Sequence, residues 1–209
     1  GEYREAAITA AQNWRSDNPN NRPRLSRPLA PTGELPRVGI VINCQDDAVR
    51  IRATITSLQD QKYSNWELIA VDAGSLDDSA AVLAGMAAFD QRITVVRAGR
   101  ESLGNCLNLG ASHTQAGLLA FLTPGRTWPP DQLGRLVAHA SSSSADILQA
   151  GPGPAARSRA ELLTGRAPDL VTCLVRRTAF DDIGGFECGS VESLIRRIKG
   201  HRFHRESRL

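Results

Sequence analysis

From residue 36 onward the chain alternates between short apolar runs and longer stretches in which apolar residues return every three or four positions. Short β-rich runs bounded by turn formers predict buried strands, and the three-to-four spacing predicts amphipathic helices. The strands so predicted are "RVGIVIN" (37–43), "WELIAVDAGS" (66–75), "RITVVRA" (92–98), "LLAFLT" (118–123), "ADILQAG" (145–151) and "LVTCLVRR" (170–177). Between them, "AVRIRATITSLQDQ" sets Val49, Ile51, Ile55 and Leu58 in a helical pattern, and "DDSAAVLAGMAAF" reads as a helix opened by an Asp/Ser cap. "LGNCLNLGASHTQAG" predicts a helix that ends at a glycine, and "PPDQLGRLVAHASSS" one with proline in its first turn, the serines 141–144 forming a loop. Strands alternating with helices in this way predict an α/β domain with a mostly parallel, Rossmann-like sheet and helices on both faces.

Upstream the pattern changes. Tyr3, Ala6, Ile8, Ala11 and Trp14 suit a short amphipathic helix over 2–16, and the proline-rich "NPNNRPRLSRPLAPTGELP" reads as an extended linker. This divides the chain into residues 1–35, a helix and linker, and 36–209, the compact domain, with both ends read as cut from something longer. With 209 residues and 41% hydrophobic content, one sizeable core can be buried. A net charge of +3 carries no clustered basic face of the kind nucleic acid demands. Only the tail from Arg196 to Arg208 is dense in arginine, and it reads as a solvated helical face. Cys44, Cys106, Cys173 and Cys188 lack the close spacing of a zinc or redox motif, which favours buried thiols in a reducing compartment. No apolar stretch is long enough to span a membrane and no secretory leader is visible, so the expected location is the cytoplasm.

Three ordered blocks carry a resemblance. "TSLQDQKYSNWELIAVDAGSLDDS", "NLGASHTQAGLLAFL" and "LVRRTAFDDIGGF" together resemble the family 2 glycosyltransferases of the GT-A fold, over about residues 36–203. What the resemblance implies is transfer of a sugar from a nucleotide-diphosphate donor, with the base held at the ends of the first strands. A divalent ion, magnesium or manganese, on an acidic DxD loop would screen the leaving diphosphate, and a carboxylate would deprotonate the acceptor.

Against that outline the polar residues are depleted. At the first strand end Asn43, Gln45 and Asp46 stand where the family has an aromatic-bearing turn; Gln45 can bond a base edge but cannot stack on it. At the second, Asp72 is kept and its partner acid is Ala73; Asp72 either contacts the nucleoside or caps its own turn. Asn108 remains of an Arg-Asn pair that approaches the donor. In "LLAFLTPGRTWPP" Thr123, Gly125 and Arg126 take the metal-loop positions, and no Asp or Glu lies between Glu101 and Asp131, so no divalent metal is expected there. Glu192 is the candidate base, with Asp46 an alternative, and Glu192 is equally suited to the first turn of a helix. Three readings follow: an impaired or inactive transferase-like domain with a binding or structural duty beside a neighbouring protein of a polysaccharide pathway; a metal-independent transferase in which Arg126 holds the donor diphosphate; and a protein–protein docking module. None of them names the sugar or the acceptor.

Overall fold

The computed structural model describes residues 35–143, 146–149, 173–186 and 203–205. In chain order these form β1 (Val38–Cys44), α1 (Ala48–Gln59), β2 (Trp66–Asp72), α2 (Ser79–Phe89), β3 (Ile93–Arg97), α3 (Leu103–Ser112), β4 (Leu118–Leu122), α4 (Gln132–Ser142), β5 (Ile147–Gln149), β6 (Cys173–Arg176), α5 (Arg177–Asp182) and β7 (Phe203–Arg205). One seven-stranded sheet has the order β3-β2-β1-β4-β6-β5-β7. Its first four strands are mutually parallel, β6 runs antiparallel to both β4 and β5, and β7 is parallel to β5. The helix and linker expected over residues 1–34, together with Glu187, Cys188 and Glu192, fall outside the described residues.

Strand residues alternate between two cores because successive side chains leave a strand on opposite faces. Val38, Ile40, Ile42 and Cys44 share one core with Leu68, Ala70, Leu118, Ala120 and Leu122, covered by Ile51, Ile55 and Leu58 of α1 and by Leu133, Leu136 and Val137 of α4. Val41, Ile69, Val71, Leu119 and Phe121 face the other way, under Cys106, Leu107 and Leu109 of α3 and Phe180 of α5. Helices therefore cover both faces of a mostly parallel sheet, which is why its central strands are apolar throughout rather than alternating. Cys44, Cys106 and Cys173 are buried, and Cys44 and Cys106 are free thiols. Burial pushes Cys44 and Cys106 up to about 11, and nearby carboxylates add to this.

Several local expectations are corrected. Val49, read as part of the apolar face of α1, is 89% exposed; the buried row is Ile51, Ile55 and Leu58 joined by Thr54. The helix predicted over "LGNCLNLGASHTQAG", ending at a glycine, stops at Ser112, short of Gly117, and runs through Gly110. A β-carbon at Gly110 would overlap Val41 Cγ1 and lie 3.1 Å from Val71 Cγ2, so this glycine sets how closely α3 approaches the sheet and does not end the helix. Pro129 and Pro130 precede α4 instead of entering its first turn, and Ser141 and Ser142 belong to that helix. Of the two aspartates that open α2, Asp77 supplies the contact, its Oδ1 accepting from Ser79 N at 2.9 Å, while Asp78 makes no side-chain cap. Residues 203–205 of the basic tail, expected in a helix, pair as a strand; main-chain pairing at a sheet edge is indifferent to side-chain charge.

Two consecutive arginines close two helices. Arg176 is 3% exposed, and its Nη2 donates to Ala140 O (2.6 Å) and Ser143 O (2.7 Å) at the end of α4. Arg177 donates through Nη2 to Ala111 O (2.9 Å) and to Thr114 O at the end of α3, on the opposite face. A helix leaves its last carbonyls unpaired and carries partial negative charge there, so a guanidinium satisfies both. Below α1, Arg92 lies 3.8 Å over the Trp66 ring while Asp90 accepts from its Nε (3.0 Å) and Nη2 (2.8 Å).

Two outcomes are expected from these contacts. Gly110→Ala lowers the stability measured by urea denaturation by about 2 kcal/mol through overpacking, whereas Gly85→Ala, on the exposed side of α2 with nothing near its β-carbon, raises it by up to about 1 kcal/mol. The hydrogen bonds from Arg92 hold the Asp90 carboxyl down at about 2 against an ordinary 3.8. A depressed folded-state pKa contributes stability that is present above the unfolded value and is lost as pH falls through the folded one, so this contribution disappears between about pH 4 and 2. Because Arg92 is 35% exposed and the pair is partly screened, Asp90→Asn costs about 1 kcal/mol at neutral pH and flattens the acid limb of a thermal-stability profile.

Candidate functional site

The strand order locates the site. The chain builds outward from β1 to β2 and β3, then crosses back to place β4 on the other side of β1. Ligands of open α/β sheets bind at the carboxyl edge where the order reverses, here between β1 and β4. Ile42 pairs with Leu122, so the next residues, Asn43 and Thr123, flank that crevice. Asn43 Oδ1 is buried and, among the described residues, has no hydrogen-bond partner.

The loops after β1 and β2 interlock. Asp46 adopts a left-handed conformation (φ 53°), which Asp tolerates better than most residues; its amide donates to Ser75 Oγ (3.2 Å) and its Oδ1 accepts from Leu76 N (2.7 Å). Ser79 Oγ accepts from Asp47 N (2.8 Å), and Asp77 Oδ2 from Ala48 N (3.1 Å). Hydrogen bonds from Ser79 and from the Ala48 amide hold the Asp77 carboxyl below its ordinary range. Asp72 is 5% exposed and its Oδ1 accepts from Ser75 N at 3.0 Å, the turn-capping role. Gln45 is exposed on the first loop.

The turn after β4 is fastened to α1. Arg126 N donates to Thr123 O (3.2 Å), and Gly125, at φ 90°, donates its amide to Thr54 Oγ1 (2.8 Å). Trp128 N reaches Ser57 Oγ (3.2 Å). Gln61, 6% exposed, donates to Pro129 O (2.7 Å) and Trp128 O (3.3 Å) and accepts from Leu133 N (2.9 Å). Thr54 and Ser57 of α1, with Gln61 two residues beyond its end, lie three and four residues apart and line up beside the apolar row of that helix. Such a row beside the buried face of a helix is a sequence signal for main chain needing partners, and the pattern reading passed over it.

Asn108 faces away from the sheet edge in function. Its Nδ2 donates to Phe186 O (2.7 Å) and its Oδ1 accepts from Phe186 N (2.9 Å), so both halves of the amide hold the turn of Gly184, Gly185 and Phe186. Gly184 and Gly185 are both left-handed, at φ 73° and 65°, which L side chains rarely adopt. Phe186 packs edge-on against Phe121 with centroids 4.9 Å apart, tying this turn to β4 two residues before Thr123.

The donor set of the Thr123–Arg126 turn comprises a hydroxyl, main-chain groups and a guanidinium. Magnesium and manganese prefer carboxylate-rich oxygen shells, so the turn does not fit the metal that the resemblance implies. Among the described residues, no group of three or more His, Cys, Asp or Glu side chains is placed to share a metal ion. Two cations beside the edge were not anticipated from sequence. Arg50 runs against Gly125 and pairs with Asp47; Arg100 lies against Gly74 and sits 3.7 Å from Asp46 Oδ2.

Gln61→Leu tests how firmly the turn is held. It strands the Leu133 amide and two carbonyls, and is expected to cost about 3 kcal/mol in urea denaturation and to accelerate amide exchange at Leu133 ahead of the sheet.

Comparisons with known proteins agree with this geometry. A mannosyltransferase from Pyrobaculum calidifontis, solved with GDP-Man and Mn2+, superposes with a TM-score of 0.68 at 16% identity, covering 97% of this chain and 64% of that one. TarS from S. aureus, residues 1–349, gives 0.66 at 15% identity over 83% of this chain and 58% of that one. At these identities the likeness shows the fold, which is GT-A. The undecaprenyl-phosphate 4-deoxy-4-formamido-L-arabinose transferase of Sodalis glossinidius (strain morsitans) is 27% identical over 161 residues, 74% of this chain and 48% of that protein. The chain spans less than half the length of the curated relatives it matches. Residues 40–167, more than half of the chain, match the model of glycosyl transferase family 2, and the chain belongs to that family.

Proposed function

We propose that this chain is a family 2 glycosyltransferase domain impaired in sugar transfer, which retains a nucleotide-binding sheet edge and serves a binding role beside a neighbouring domain or protein of a polysaccharide pathway. The observation that carries this is the turn at the switch point, Thr123 to Arg126, where a hydroxyl and a guanidinium stand in place of metal-binding acids. Relatives of the same fold support the ligand class: TarS has been solved with UDP and with UDP-GlcNAc, and the Pyrobaculum enzyme with GDP-Man. The residues proposed to meet a nucleotide-diphosphate sugar are Asn43, Gln45, Asp46, Asp72, Thr123 and Arg126. Asn108 supports the site indirectly, through the Gly184-Gly185-Phe186 turn.

Impairment is supported by where the remaining acids are engaged. Asp46, Asp72 and Asp77 each accept main-chain amides that hold their loops together, so recruiting any of them as base or ligand would cost those bonds. A metal in such a site would act as a Lewis acid on the leaving diphosphate. The side chains at this turn do not supply its ligands, and a transferase without it still needs a base, for which Glu192 is the candidate. Among the described residues no helix is long and apolar enough to cross a membrane. The buried free thiols of Cys44 and Cys106 favour the reducing conditions of the cytoplasm as the proposed location.

The test is release of nucleoside diphosphate from UDP-GlcNAc and GDP-mannose, with manganese and with EDTA. No release above background is expected in either condition. Manganese-dependent turnover would overturn the proposal, and turnover in EDTA that disappears in Arg126→Ala would replace it with a metal-independent transferase.

A further inference from the structure

The structure assigns a further role to the arginines at this edge: on the nucleotide-binding reading above, we propose that Arg50 and Arg126 hold the diphosphate of a nucleoside diphosphate directly, so that binding needs no divalent metal. The structurally similar mannosyltransferase from Pyrobaculum, by contrast, was solved with Mn2+ beside its GDP-Man.

The geometry begins at two left-handed glycines. A β-carbon built on Gly125 would lie 3.4 Å from Arg50 Cδ and 3.6 Å from its Cβ, so the Arg50 stem runs along the turn whose next residue is Arg126. One built on Gly74 would lie 3.3 Å from Arg100 Cγ. The two stems thus cross the strand-end turns on either side of β1, Arg50 toward β4 and Arg100 toward β2. Their side chains are 66% and 58% exposed, and their guanidinium groups are tethered by adjacent acids of the first loop, Asp47 and Asp46. Arg126 is exposed on the turn itself.

Tethering does not exhaust these groups. A guanidinium has five N–H donors in a planar fork, and an ion pair with one carboxylate leaves several directed outward. Asp46 and Asp47 balance the charge of the edge when it is empty of ligand and restrict where the two guanidinium groups sit, which lowers the ordering cost of binding an anion. Asp72 and Asp77 face the same edge, and their bonds to Ser75 and to Ala48 and Ser79 engage them there. A diphosphate placed against the Thr123–Arg126 turn would meet Arg126 from the turn and Arg50 from the first turn of α1. The bidentate geometry of guanidinium toward phosphoryl oxygens makes that pair a substitute for a metal's charge.

Calorimetric titration with UDP and GDP, in EDTA and in manganese, tests this. The affinity for UDP or GDP is expected to agree within about twofold between the two conditions, and Arg50→Ala and Arg126→Ala are each expected to weaken it about tenfold. Arg52→Ala, roughly 200° around α1 from Arg50, should leave it unchanged. Uridine and guanosine, which lack the diphosphate, should bind the two variants as they bind the parent chain. Thermal unfolding of each variant verifies that it is folded, which these exposed positions should allow. Manganese tightening UDP or GDP tenfold or more overturns the metal-free site while leaving the nucleotide reading intact. Unchanged affinity in both arginine variants does the same, and absence of binding by any nucleoside or nucleotide overturns both.

Discussion

Between β4 and α4 the main chain leaves the sheet with amides and carbonyls that no strand can meet, and it does so at the edge where the sheet offers a ligand site. Buried main-chain groups must find partners, and here side chains of α1 and of the residues just after it provide them, Thr54 for Gly125, Ser57 for Trp128 and Gln61 for three further groups. The rest of the site depends on this constraint. It fixes Thr123 beside Asn43, it lays Arg50 along Gly125, and it buries Trp128 to 6% exposure in the core shared by α1 and α4. A turn held in this manner owes its shape to its neighbours and does not depend on a bound ion to become ordered.

The first two loops follow the same economy by a different means. Their carboxylates accept main-chain amides across the gap between β1 and β2, so the acids that a transferase would direct at a ligand also hold the edge together. This dual use explains how a chain can lose the acids of one loop and keep its fold. The loop after β4 is supported by hydroxyls and an amide side chain, and nothing in its support requires a carboxylate.

Much of the fold was legible because parallel central strands read as continuous apolar runs, and "RVGIVIN", "WELIAVD" and "LLAFL" were placed nearly to the residue. The direction of β6 was not, since a four-residue buried strand has the same appearance whichever way it runs. Nor was the role of Gly110, because a glycine inside a helical pattern gives no sign of what it packs against, and only the distance to Val41 reveals it. At the site, the turn after β4 was located correctly from its flanks. The cations beside it were not, because Arg50 and Arg100 are brought to their glycines by the approach of separate loops, which no local pattern encodes. Arg176 and Arg177 were legible only as part of a family block, and their attachment to helix ends 33 to 66 residues away is a property of topology.

Those two arginines also act as a register gauge. Because consecutive residues point to opposite faces, the pair at the end of β6 grips a helix on each side of the sheet from adjacent main-chain positions. A shift of β6 by one residue would turn each arginine away from the helix end that it caps, as well as turning Leu174 and Val175 inside out. The few residues of β6 therefore admit neither insertion nor deletion.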